Sequence, residues 1–485
     1  MKPKHLLFII GFIFCSCPHY SFSQRWDTVG KKINRIGNQG PNIIYSDSVY
    51  LYMAGNFDLL GNLPAKGIAR WNGVKWDSLG AGIDGLDTLN AYSQNTWALA
   101  KYHNKLYAGG AFSSLGKVKA PRVGTWDGNT WDSIPIQPFK SSDDYSLSCI
   151  TAINNKLYIG GIFDTVAGSP CIGIAYWNDT DWSSLNFPNL PGYFAIDAIC
   201  EYNGDIYAGG EFYGTPGDSS SNILRWDGKH WLSVGGGIPG GAIEVQTMTV
   251  YKGELYVAGY FSKSEGDVGN YIQKWNGSSW SEVGGGVLGP GGGNGQIFQL
   301  LVYKNKLYAM GVFQTAGGVS ANRIASWDGI EWCSLGSTFD NSITTGCMYK
   351  DSLYIGGGFW TIDGDSIVYI AEWVGGNYVD TCGVTGINEL NTESEGVKVF
   401  PNPSDGKFTI EEQGVRYKEQ VEVYNMLGEK VASSNSSEGG GINSLLSGVH
   451  TGWAIDLQGQ PAGIYLYRIT SEKGELVGSG KLVIE

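Results

Sequence analysis

Positive charge is scarce in this chain. Lys and Arg number 33 against 46 Asp and Glu in 485 residues, a formal net charge of −13. No Lys/Arg run follows the first few residues, so the basic face that nucleic acid requires is missing and no such partner is expected. Histidine is scarcer still. None of the five (His5, His19, His103, His230, His450) stands at ligand spacing from another His or a Cys. Long apolar runs are absent beyond the N-terminus, so no transmembrane segment is expected in the mature chain. Helical periodicity and a Gly-x-Ser-x-Gly elbow in a strand-to-helix setting are lacking too. No pair of carboxylates stands out for glycosidic chemistry. The sequence therefore assigns no catalytic residue, no cofactor and no metal.

Glycine (73 residues) and aromatics (13%) are abundant, and they are periodic. Seven tyrosines, Tyr52, Tyr107, Tyr158, Tyr207, Tyr256, Tyr308 and Tyr354, each have a glycine three residues later and a phenylalanine five later. A tryptophan follows each tyrosine by 19 residues, from Trp71 and Trp126 to Trp373. Another aromatic follows by 24: Trp76, Trp131, Trp182, Trp231, Trp280, Trp332 and Tyr378. All length variation falls after this last aromatic. A rigid unit with variable connectors is the signature of a repeat architecture.

One unit reads as four short strands rich in β-branched and aromatic residues. In copy three these are Cys149-Ile-Thr-Ala-Ile153, Lys156-Leu-Tyr-Ile-Gly-Gly-Ile-Phe163, Ile174-Ala-Tyr-Trp177 and Trp182-Ser-Ser-Leu185. Asn-Gly or Asp-Gly between the tryptophans of most copies suits a tight hairpin, which would set both tryptophans on one face. The second strand is apolar on both faces, so each sheet must lie between two others. Its recurrent glycine allows a bulge or a close backbone approach. Four-stranded sheets stacked radially make a β-propeller. Arg25-Trp-Asp-Thr-Val-Gly30 repeats the fourth-strand pattern with no unit before it. Trp26 is therefore expected to close the ring, ahead of the rival Tyr378-Val-Asp-Thr-Cys382.

The Tyr–Gly-Gly–Trp grammar resembles the kelch-like propellers, and also repeats of fungal cortical-marker proteins and bacterial secreted proteins. The resemblance covers about 345 residues. It implies a fold and little about function. After a polar, acidic stretch the grammar changes. Phe400-Pro-Asn-Pro403, Tyr424-Asn-Met-Leu-Gly428 and Pro461-Ala-Gly-Ile-Tyr465 occur in that order. They resemble the C-terminal sorting domain of type IX secretion in Bacteroidetes. That resemblance implies export, the secretion machinery as a partner, and a place outside the cell or on its surface. The expected architecture is all-β: a seven-bladed β-propeller plus a small C-terminal Ig-like β-sandwich. Its parts are a signal peptide (1–23, with Lys2 and Lys4 before a short apolar run), the propeller (24–382), a linker (383–395) and the sorting domain (396–485).

The repeat tryptophans read as packing, given their fixed distance from structural glycines. Trp97, Tyr193 and Trp360 fall outside the repeat grammar, in or near connectors, and are the candidate ligand-binding residues. Asp127-Gly-Asn-Thr-Trp131 lacks one residue of a sialidase Asp-box. Asp363-Gly-Asp365 and Asp267-Val-Gly-Asn270 read as acidic turns before calcium sites. Eight Asp-Ser/Thr-aliphatic triplets, beginning at Asp27, Asp47, Asp77, Asp87, Asp132, Asp164, Asp351 and Asp365, resemble an O-glycosylation sequon. Six cysteines remain beyond the leader. Cys200 and Cys347 are the pair least expected to join, because they belong to non-adjacent copies. The expected function is non-enzymatic binding or adhesion at the cell surface, toward a glycan or a surface or matrix protein. A polysaccharide-active hydrolase or lyase and a structural surface-layer or gliding component are the alternatives.

Overall fold

The computed structural model describes residues 26–374 except 31–39, 56, 58, 61, 85–94, 135–138, 140–145, 189–193, 213–220, 239–243 and 264–265. It also describes 397–484 except 414–419, 426–429, 434–441, 448–449 and 471–475. The expected leader, the expected linker, Tyr193 and the Tyr378 segment lie outside these residues. The chain divides into two compact units, Met1–Gly383 and Val384–Glu485.

Seven four-stranded antiparallel sheets are described in the first unit. Their inner strands are β1 (Pro41–Ser46), β2 (Asn95–Tyr102), β3 (Ser146–Ile153), β4 (Ala195–Tyr202), β5 (Glu244–Tyr251), β6 (Gln296–Tyr303) and β7 (Ile343–Tyr349). In the third sheet, β3 pairs with Lys156–Ile162, which pairs with Ile174–Trp177 and then Trp182–Ser184. The second strand is covered on both sides, as its double apolar pattern requires: Leu157, Tyr158 and Ile159 are all buried. The phenylalanine five after each tyrosine is buried in all seven copies. The core is thus distributed between neighbouring sheets; Tyr256 and Ala258 of the fifth share a cluster with Leu300 and Leu307 of the sixth.

Each inner strand packs against the next, and β7 packs against β1, closing a ring. The last sheet takes its fourth strand from the other end of the unit: Trp26–Thr28 pairs with Ile370–Trp373, Trp26 opposite Trp373. The second tryptophan of a sheet stitches it to the sheet before. Trp131 Nε1 donates to the Leu79 carbonyl at 2.8 Å, Trp231 to Leu185 at 2.8 Å and Trp332 to Val283 at 2.9 Å. Trp76 donates to Val29 at 3.0 Å. Val29 follows Trp26 as Leu79 follows Trp76, so the N-terminal strand repeats the stitch across the seam.

The outer hairpins differ from the two-residue turn that Asn-Gly suggests. Trp71 and Trp76 do pair directly, but four residues connect them. Asn72 Oδ1 accepts the N–H groups of Val74 and Lys75 at 2.8 and 2.9 Å. Gly73 supplies the left-handed backbone, with φ of 99°.

The second unit holds two four-stranded antiparallel sheets. Val397–Phe400, Lys407–Gln413, His450–Asp456 and Ile442–Ser447 form one; Lys430–Ser433, Gln420–Tyr424, Gly463–Thr470 and Leu476–Ile484 form the other. One apolar cluster, including Phe408, Ile410, Val421, Trp453, Tyr467 and Leu482, forms their core. No helix among the described residues is long and apolar enough to cross a membrane.

Candidate functional site

The glycine three after each tyrosine shapes the centre of the ring. A Cβ on Gly210 would lie 1.9 Å from the Ala195 carbonyl oxygen, and one on Gly161 2.1 Å from that of Ser146. Such close approach excludes any side chain. Opposite the glycine, the register of the inner strand slips by one residue, between Ile196 and Ala198 in β4 and between Leu147 and Cys149 in β3. The recurrent glycine therefore serves both purposes open to it in the sequence, bulge and close contact.

The slip isolates one residue on each inner strand: Asn42, Trp97, Ser148, Asp197, Gln246, Phe298 and Thr344. All seven line one cavity of about 520 Å³, to which every inner strand contributes, so it lies on the axis of the ring. Each stands ten residues before its tyrosine, and the seven are of seven different types. Around them the framework is fixed.

Cross-sheet hydrogen bonds hold part of this wall rigid. The Leu300 N–H donates to Thr247 Oγ1 at 3.2 Å, Gly346 N–H to Gln299 Oε1 at 2.7 Å and Ile44 N–H to Thr345 Oγ1 at 3.0 Å. Thr344 Oγ1 donates to the Pro41 carbonyl at 2.9 Å. Gln246 Nε2 donates to Glu244 Oε2 at 3.0 Å, which leaves Gln246 Oε1 buried with no partner among the described residues. The Ser148 hydroxyl hydrogen-bonds Asp197.

The charge in the wall is one-sided. Among the described residues its charged members are Asp197 and Glu244, with no Lys, Arg or His. Burial and then the carboxylates of Glu244 and Glu211 push Asp197 up to about 7, against the Ser148 hydrogen bond. Burial also raises Glu244, with Glu211 adding to the effect and the Gln246 hydrogen bond opposing it. An acid that titrates near neutrality beside a second carboxylate can hold a proton, release it, or take a cation in its place.

The sequence candidates are distributed unequally. Trp97 belongs to β2, not to a connector. It sits inside the repeat frame as the bulge residue of the second sheet, half-buried in the cavity wall. Trp360 is 58% exposed, edge-on to Tyr369 with ring centroids 5.6 Å apart. It lines a smaller cavity of about 250 Å³ that shares Asn42 and Thr344 with the axial one. Tyr193 lies outside the described residues. Sequence reasoning missed the other six axial residues because no shared residue type marks their position. The signal that finds them is variability itself, at a fixed offset of ten from an invariant tyrosine.

The repeat tryptophans pack against one another in pairs. Trp126 and Trp131 pair at 5.2 Å, Trp327 and Trp332 at 5.4 Å. Asp363 Oδ1 accepts the Thr338 N–H at 2.6 Å, the behaviour of a turn residue. Among the described residues no three His, Cys, Asp or Glu are grouped to hold a metal ion. Cys149, Cys171, Cys200 and Cys347 are free thiols, so Cys200 and Cys347 are not joined. Cys333 is disulfide-bonded, and its partner lies outside the described residues.

Residues 398–485 match the family model for the secretion system C-terminal sorting domain. The chain carries a type IX sorting domain. It is accordingly a secreted or cell-surface-attached protein, and its C-terminal unit engages the secretion machinery. No curated protein matches the sequence. Among solved structures, an α-L-arabinofuranosidase from Clostridium thermocellum shows 11% identity and a TM-score of 0.26, over 60% of this chain and 96% of its own. Bacteroides ovatus Xyloglucan PUL GH43B shows 12% identity and a TM-score of 0.28, over 91% and 90%. The GH43 BlXynB protein from Bacillus licheniformis shows 12% and 0.27, over 91% and 89%. Likeness at this level carries no functional argument.

Proposed function

We propose that the exported ring is a non-enzymatic binding module that takes a glycan in its axial cavity. The observation that carries the reading is the composition of the bulge ring: two aromatic faces (Trp97, Phe298) and five hydrogen-bonding side chains converge on one space from seven rigid strands. A hydroxyl-rich ring offers apolar C–H faces to aromatics and donors and acceptors at its rim, and the wall presents both. The test is a glycan array probed with the mature full-length protein, followed by titration of its hits against Trp97→Ala and Phe298→Ala. Binding should weaken at least tenfold in each variant without loss of the folded ring. Hits that bind both variants as tightly as the wild type would exclude the cavity.

One observation favours a second reading, polysaccharide hydrolysis or lysis. Asp197, pushed up to about 7 beside Glu244, still carries its proton in part of the molecules at neutral pH and has the character of an acid that gives it to a leaving oxygen. Reducing-end release from a polysaccharide panel, abolished by Asp197→Asn while binding persists, would establish the enzyme over the binding module.

A further inference from the structure

The axial carboxylates contrast with other partly buried carboxylates of the ring. Asp47 lies 2.6 Å from Lys101 Nζ, Asp205 2.6 Å from an Arg225 guanidinium nitrogen, and Glu254 2.6 Å from Lys274 Nζ. Each is matched by a cation from its own or the adjoining sheet. Asp197 and Glu244, in the wall of the axial cavity, have no cation beside them among the described residues; their polar partners are Ser148 and Gln246. Glu211 adds a third negative charge nearby. Partly buried negative charge without a counter-charge is costly, and removing it by evolution takes a single amide substitution. Its presence at a ligand-sized cavity points to a counter-charge brought from outside.

The rest of the wall suits the same visitor. Trp97 and Phe298 belong to the second and sixth sheets, two steps from Asp197 on either side of the ring. The same cavity thus offers an ammonium group both carboxylates and aromatic rings, whose faces attract cations. Gln246, in the same wall, has an Oε1 with no hydrogen-bond partner among the described residues, and an ammonium brings only donors. An anionic sugar would meet repulsion, and a neutral one would leave the carboxylates uncompensated.

We infer that the axial cavity selects an aminated saccharide, a sugar whose free amine is protonated, over its neutral and acylated counterparts. The inference rests on the cavity being the glycan site proposed above. A series of β-1,4-linked oligosaccharides of equal length separates the two claims, because glucose, N-acetylglucosamine and glucosamine oligomers differ only in a hydroxyl, acetamide or ammonium group at one carbon. Calorimetric titration of the mature full-length protein at pH 7 should show the glucosamine oligomer binding at least tenfold tighter than the other two. Asp197→Asn should shrink that preference below threefold, and its melting temperature shows whether the variant is folded. Asp205→Asn, which removes a carboxylate already matched by Arg225 outside the axial wall, should keep the preference. Equal binding of all three, lost in Trp97→Ala, would overturn the charge selectivity and keep the site. Binding indifferent to Trp97→Ala and Phe298→Ala would overturn the site itself. Failure of the glucosamine oligomer to bind at millimolar concentration would overturn the inference directly.

Discussion

Asp197 poses the sharpest test at the scale of single residues. Its folded-state affinity for a proton is raised, from 3.8 to about 7. The unfolded chain gives up that proton near the ordinary value, so the native state holds more protons between about pH 4 and pH 7. Stability therefore falls as pH rises through that window. Asp197→Asn should leave thermal stability unchanged at pH 4 and raise it at pH 8 by about 2 kcal/mol, less than the full shift implies because the group still faces solvent. Calorimetry at the two pH values checks this; a variant less stable at pH 8 than the wild type refutes the electrostatic picture. Gly210 makes the opposite case. Gly210→Ala sets a methyl group against the Ala195 carbonyl and should cost about 3 kcal/mol in urea unfolding, with no effect of pH.

At the scale of elements, the stitch between sheets can be taken apart chemically. Trp131 is buried and bonds Leu79 of the preceding sheet. Trp131→Ala should cost roughly 3–5 kcal/mol, whereas Trp131→Phe keeps much of the packing and gives up the hydrogen bond, at roughly 1–3 kcal/mol. Equal losses in the two would show that indole geometry matters more than volume. This scale also shows what was legible beforehand. The four strands, the doubly covered second strand and the bulge glycine followed from offsets that never slip, because packing between like sheets tolerates only one spacing. The closing strand was legible because Trp26 repeats the Trp76 phrase. The four-residue outer turn was not, since Asn-Gly also serves as the first half of a longer loop. The axial ring escaped for a physical reason. A cavity wall has no neighbour to fit, so packing sets its position and leaves its residue type free. In the sequence Trp97 therefore stands as a stray aromatic beside connectors of unequal length.

For the whole molecule, the sorting unit and the ring make separable predictions. Removal of 396–485 should leave a ring that melts like that of the intact protein but stays inside the cell envelope, as fractionation and surface proteolysis would show. Normal surface display of the truncated chain would contradict the sorting role. Removal of 24–30 should do the reverse to the fold. Without Trp26–Thr28 the last sheet keeps three strands and exposes an edge, and Trp76 loses its acceptor at Val29. The deletion should lower the melting temperature and promote association between molecules, measurable by light scattering.

The seam has a temporal consequence. Ile44 meets Thr345 301 residues further along, and the N-terminal strand waits for the seventh copy. Until that late segment is available, six sheets form only an arc, with its inner residues facing an open gutter. A chain being made or threaded in order from its beginning has no enclosed cavity for almost its entire passage. The axial cavity thus comes into being in one step, at the moment the circle meets itself.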